Sequence, residues 1–138
     1  MRRTLACTAS LILGTLLMAS ACGGGGSDSP TSPSPSPSPS PAPVATTTIT
    51  ITSSGVSPQN ITVSQGSRVT FVNNDTRAHE MTSNPHPIHT DCPEINQVGF
   101  LQPGQSRQTG NLNDVRTCGF HDHIFDTNAS LQGTIRIQ

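Results

Sequence analysis

The sequence predicts an all-β fold, a small antiparallel sandwich or barrel of six to eight short strands. Three observations carry that expectation. Short runs rich in β-branched residues alternate with period two, turn pairs built from Gly, Pro, Asn and Asp separate them, and no stretch has the apolar spacing of an amphipathic helix of useful length.

The elements follow in order. "TTTITI", Thr46 to Ile51, is β-branched and alternating. "NITVSQGSRVTFVNN" places Ile61 and Val63 on one face of a strand, turns at Gln65-Gly66, and sends Val69, Phe71 and Asn73 along the inward face of the next. "HEMTS" continues as a short strand after an Asn74-Asp75 turn. Asn84 to Pro103 contains Pro85, Pro87, Pro93 and Pro103, so it reads as a structured loop. "QPGQSRQTGNL" opens with a Pro-Gly turn and runs on extended, "VRTCGF" is another strand, and "LQGTIRIQ" closes with Leu131, Ile135 and Ile137.

The folded part is expected to be residues 44–138, one domain with a modest core. Residues 1–21 read as an export signal: Arg2 and Arg3 precede an apolar stretch, Leu5 to Met18, too short for a confident membrane span. "MASAC", Met18 to Cys22, resembles the lipobox of bacterial lipoproteins, with Ala19 where Leu is usual. That resemblance implies cleavage before Cys22, lipid such as palmitate on it, and a bacterial cell-envelope location, with the domain in the periplasm or at the cell surface. Residues 22–43 form a Gly/Ser/Pro-rich tether with nothing to bury; its Ser-Pro alternation favours an extended polyproline spacer that reaches roughly 45 Å.

Charge narrows the partners. From Cys22 onward there are five Arg, no Lys and eight Asp plus Glu, so no basic run exists to neutralise phosphates, and nucleic acid is excluded as a partner. A monomer is expected, with an unknown redox partner protein. Of the four cysteines, Cys7 leaves with the signal and Cys22 takes lipid, so Cys92 and Cys118 alone remain in an oxidising compartment.

All five histidines lie between His79 and His123, beside both domain cysteines. "TCGFHDH", Thr117 to His123, packs one cysteine and two histidines into seven residues. Loops from distant strands meet at the ends of a sandwich, so ligands from two loops can converge there on one metal ion. One thiolate with imidazoles suits copper or zinc.

"SPQNITVSQGSRVTFVNNDTRAH", Ser57 to His79, resembles the middle strands of the cupredoxins, the blue-copper domains, and "CGFHDH" with "LQGTIRI" resembles their closing segment. The resemblance covers 44–138 and implies a cupredoxin-like Greek-key β-sandwich around one copper ion. It implies His79 as first imidazole and Cys118 as thiolate. His121 fits the plastocyanin-like spacing of Cys-x2-His and His123 the azurin-like Cys-x4-His; His121 is preferred as the nearer on a tight loop. Leu131 stands where the family carries its axial methionine, which implies a three-ligand site, and Met81 reads as packing. Asp122 reads as an orienter of histidine or a solvated loop residue. If Cys92 bonds Cys118, the thiolate is lost and an all-imidazole centre remains: His79, His121 and His123, helped by His86 or His89.

Three functions follow. One is an envelope-anchored electron carrier with a mononuclear copper. The second is a copper or zinc binding or delivery protein with an all-histidine site and a Cys92–Cys118 disulfide. The third is a metal-free sandwich for adhesion or assembly. No enzyme is expected, because neither a Gly-x-Ser-x-Gly nucleophile motif nor carboxylates paired for acid–base work occur.

Overall fold

A computed structural model describes residues 42–138. The expected signal, the expected lipidation at Cys22 and the expected tether up to residue 41 lie outside the described residues. Among the described residues ten strands form two sheets, packed as a sandwich: β1 (Val44–Ala45), β2 (Thr48–Thr52), β3 (Gly55–Ser57), β4 (Asn60–Val63), β5 (Thr70–Asn73), β6 (His79–Ser83), β7 (Gly99–Leu101), β8 (Ser106–Gln108), β9 (Thr117–Asp122) and β10 (Gln132–Ile137). The larger sheet runs β1-β4-β10-β9-β6-β7 and the smaller β3-β2-β5-β8.

The all-β sandwich is as the sequence predicts, but the pairing is mixed. β1 with β4, β4 with β10, and β2 with β5 are parallel; the other pairs are antiparallel. The strand count exceeds eight because of short pieces such as β1, β3 and β7. The loop from Asn84 also holds more structure than its prolines suggest, since it contains a 3-10 turn at Ile95–Gln97 and then β7.

Alternation builds the core. Ile49, Ile51 and Phe71 from the smaller sheet face Ile61, Phe120 and Ile135 from the larger, all fully buried. The Phe71 and Phe120 rings meet edge to face, 5.2 Å between centroids, and tie the two sheets together. Two turns form where the sequence places them. Gly66 (φ 84°) closes a turn in which the Ser67 amide donates to the Ser64 carbonyl, and Pro103-Gly104 (Gly104 φ 77°) closes one from Gln105 to Gln102.

Beyond β6 the chain leaves the larger sheet, passes through the histidine-bearing segment, and buries Cys92, Ile95 and Val98 completely. Cys92 is bonded to Cys118 of β9. Cross-linking two cysteines 26 residues apart removes unfolded-chain entropy equivalent to about 3 kcal/mol. Peptide mapping of the protein without reductant should therefore recover the Cys92 and Cys118 peptides joined. The Cys92→Ala, Cys118→Ala double variant should lose about 3 kcal/mol in denaturant unfolding. Separate peptides would overturn the assignment.

Candidate metal centre

Strand β9 sorts its side chains by alternation. Cys118, Phe120 and Asp122 point into the sandwich, where Phe120 meets Phe71 and Asp122 meets His79. His121 takes the opposite face beside its cross-strand neighbour Thr82; the Thr82 hydroxyl is 3.4 Å from His121 Nε2. The segment after β6 folds over that outer face and brings two more histidines to it.

That segment is held by its own backbone. The Asn84 amide donates to the Gly119 carbonyl of β9, His89 N–H to the Pro85 carbonyl, and Asp91 N–H to the Asn84 carbonyl. The Asn96 side chain accepts from Ser83 N–H and donates to the His89 carbonyl. His89 sits in the left-handed region at φ 52°, costly for a residue with a Cβ and sustained here by hydrogen bonds at both its N–H and its C=O.

His86, His89, His121 and His123 converge, and one ring nitrogen from each lies within 4.8 Å of the others. His123 Nδ1 is 3.2 Å from His89 Nε2. Ring centroids of His86 and His89 stand 4.9–5.5 Å from those of His121 and His123. A tetrahedral ion about 2.0–2.1 Å from each nitrogen spaces its ligands about 3.3 Å apart, so modest side-chain rotation closes the set. His121 is nearly buried, His89 and His123 are half-buried, and His86 faces solvent.

Two of the four rings, His121 and His89, are held toward the neutral form. His121 Nδ1 is 2.8 Å from Asn84 Oδ1, which only accepts, so Nδ1 carries the proton and Nε2 keeps a lone pair. His86 Nε2 lies 3.5 Å from an Asp126 carboxylate oxygen, leaving Nδ1 for a ligand role. Burial, then the neighbouring His89, His86 and His123, push the His121 imidazole below its ordinary value, with Asp126 opposing. Burial, then His123 and His86, do the same to His89, against Glu80. Neutral imidazoles are the form that binds a metal ion.

Inside the sandwich His79 has a different environment. It is fully buried, with Nδ1 2.5 Å from Asp122 Oδ2 and Nε2 3.2 Å from Asp75 Oδ2. Burial alone would raise the Asp75 carboxyl, but the Thr76 N–H, the Arg77 guanidinium and His79 outweigh it and hold it below the usual carboxylate range. Arg77 also lies over the Phe125 ring, 4.8 Å from its centroid.

No protein-family model matches the sequence, and no curated protein matches it. Solved structures do share its architecture. A purple cupredoxin from Nitrosopumilus maritimus superposes with a TM-score of 0.53 at 16% identity, covering 67% of this chain and 100% of that one. Plastocyanin from Dryopteris crassirhizoma gives 0.52 at 19% identity over 66% and 99%. Amicyanin from Paracoccus versutus gives 0.52 at 12% identity over 70% and 85%. The domain has the cupredoxin fold.

Within that cupredoxin fold, the ligand set implied by sequence resemblance is not assembled. Cys118 is joined to Cys92, so its sulfur offers no thiolate. It also lies three residues from His121 on one strand, and an odd separation sends the two side chains to opposite faces. His79 shares the inward face with Met81 on β6, and both its ring nitrogens are engaged by carboxylates. His121 and His123 do come together, but with His86 and His89 rather than with His79. Met81 is core, as expected, and Leu131 is buried in the core too. Asp122 is buried and orients His79; its Oδ1 also accepts from the Glu80 and Ile124 amides.

His89 and His121 bind protons less readily folded than unfolded, so the metal-free protein's stability rises with pH through the window between their lowered values and the ordinary 6.5. Their contribution should be complete above about pH 6.5 and be lost on acidification below it. The Asp75 contribution should persist until pH falls below its ordinary 3.8, toward its own depressed value. Denaturant melts from pH 8 to 5 check this, and stability that grows on acidification through the histidine window would contradict it.

Proposed function

We propose that the domain is an envelope-anchored copper-binding protein whose single ion is held by His86, His89, His121 and His123. The observation that carries this reading is the convergence of four imidazole nitrogens within 4.8 Å, two from the proline-bearing segment and two from the end of β9. Four imidazoles converging on one point repel one another whenever they are protonated, and an ion shared by their lone pairs turns that convergence to use. An all-nitrogen set suits copper or zinc, and among divalent ions Cu(II) binds such donors most tightly. Anchorage is part of the proposal and rests on the signal, the lipobox-like Cys22 and the tether. The reading is of a binding or delivery protein, not an enzyme.

One-electron transfer through the same copper is the second reading, and the cupredoxin fold favours it. The disulfide-bonded Cys118 weighs against it, since an all-imidazole centre lacks the thiolate that supports strong electronic coupling. An adhesive, metal-free role is the least supported by the histidine cluster.

Cu(II) titration followed by calorimetry should show one equivalent bound, with weak visible absorption and no intense thiolate charge-transfer band. The His89→Ala, His121→Ala double variant should lose at least about 100-fold in affinity, two of four ligands being gone. Cys118→Ser should still take up the ion. Copper retained by the histidine variant and lost by Cys118→Ser would reverse the assignment.

A further inference from the structure

Asn84 joins the two halves of the histidine cluster. Its amide N–H donates to the Gly119 carbonyl of β9, and its carbonyl accepts from Asp91 N–H, closing the turn that contains His86 and His89. Its side-chain oxygen accepts from His121 Nδ1 at 2.8 Å. The approach depends on Gly119, because a Cβ there would collide with the Asn84 amide group. One residue thus fixes where the segment crosses the strand, how the segment closes, and how the most buried of the four imidazoles is turned.

We propose that Asn84 is the positioning residue of the site: by accepting the Nδ1 proton of His121 it selects the tautomer that keeps a lone pair on Nε2 for an ion shared with the other three histidines. The inference rests on the metal-binding reading of that cluster. A neutral imidazole has one N–H and one lone pair, and the wrong tautomer presents a proton to the ion. An uncharged acceptor at Nδ1 settles the choice. The Thr82 hydroxyl, 3.4 Å from Nε2, is compatible with it, since a hydroxyl can donate to that lone pair until an ion replaces the contact. Asn84 supplies no ligand atom itself. Glycine at 119 is part of the same device, because it leaves the space that the Asn84 amide occupies.

The test reads the tautomer directly. In the 15N-labelled full chain in detergent micelles, metal-free at pH 8, His121 should show a protonated Nδ1 and an unprotonated Nε2. Asn84→Ala should shift His121 toward the Nε2–H form and weaken Zn(II) binding by about 10-fold or more. Asn84→Asp keeps an acceptor at the same place and should restore both the tautomer and most of the affinity. A purely structural role would leave the tautomer unmoved and would not be rescued by aspartate. Finding the Nε2–H form in the unsubstituted protein overturns the proposal and needs no variant that must fold. The two failures differ: a protein that takes up no Zn(II) overturns the metal reading and this inference with it. One-to-one uptake unaltered by Asn84→Ala overturns the inference alone.

Discussion

Side chains on a strand must alternate between two faces, and on β9 that rule separates structural chemistry from ligand chemistry. Cys118, Phe120 and Asp122 take the inner face, where they form the covalent link to Cys92, the ring contact with Phe71 and the hydrogen bond to His79. His121 takes the outer face and meets Asn84, His86 and His89. Three inward residues anchor the strand by a bond, a packed ring and a buried polar pair, and that leaves its outer face fixed in position.

The segment between Ser83 and Val98 converts that fixed face into a site. It is pinned at Asn84 to β9, at Asn96 to Ser83 and His89, and at Cys92 to Cys118. Each pin lies within a few residues of a histidine. The backbone cost at His89 is sustained by this bracing. Without these pins, conformational entropy would favour a wandering loop, whereas here little ordering remains for a ligand to impose.

Much of the fold was legible because it rests on local pattern. Ile61, Val63, Val69, Phe71, Ile135 and Ile137 alternate as written and are buried, and the Gly66 and Gly104 turns need only the chemistry of their own residues. The site was half legible. His121 and His123 stood out by clustering, and His86 and His89 were seen, but only as helpers. Their place depends on how the segment folds back over the sheet, a tertiary outcome that no local period encodes. Of the two readings the sequence leaves open for Cys118, copper thiolate or disulfide with Cys92, the structure has the disulfide. The strand was expected to end at Phe120, but it continues to Asp122, and continuing it puts Cys118 and His121 on opposite faces. The alternation Cys-Gly-Phe-His-Asp held that signal. Family likeness implies a ligand role for His79, while Asp75 and Asp122 on either side of it in space hold it in a buried hydrogen-bonded set of three.

Asp126 stands beside His86 at the solvent edge, each about two-fifths exposed by side chain. Four uncharged donors leave a bound dication with its full double charge, and in the proposed centre this carboxylate is a counterweight open to water. Because water and dissolved ions reach it freely, its pull fades as electrolyte is added, whereas the inner carboxylate of Asp122 is shielded from that screening by the sheet. The grip on the ion would then differ between a dilute medium and a briny one.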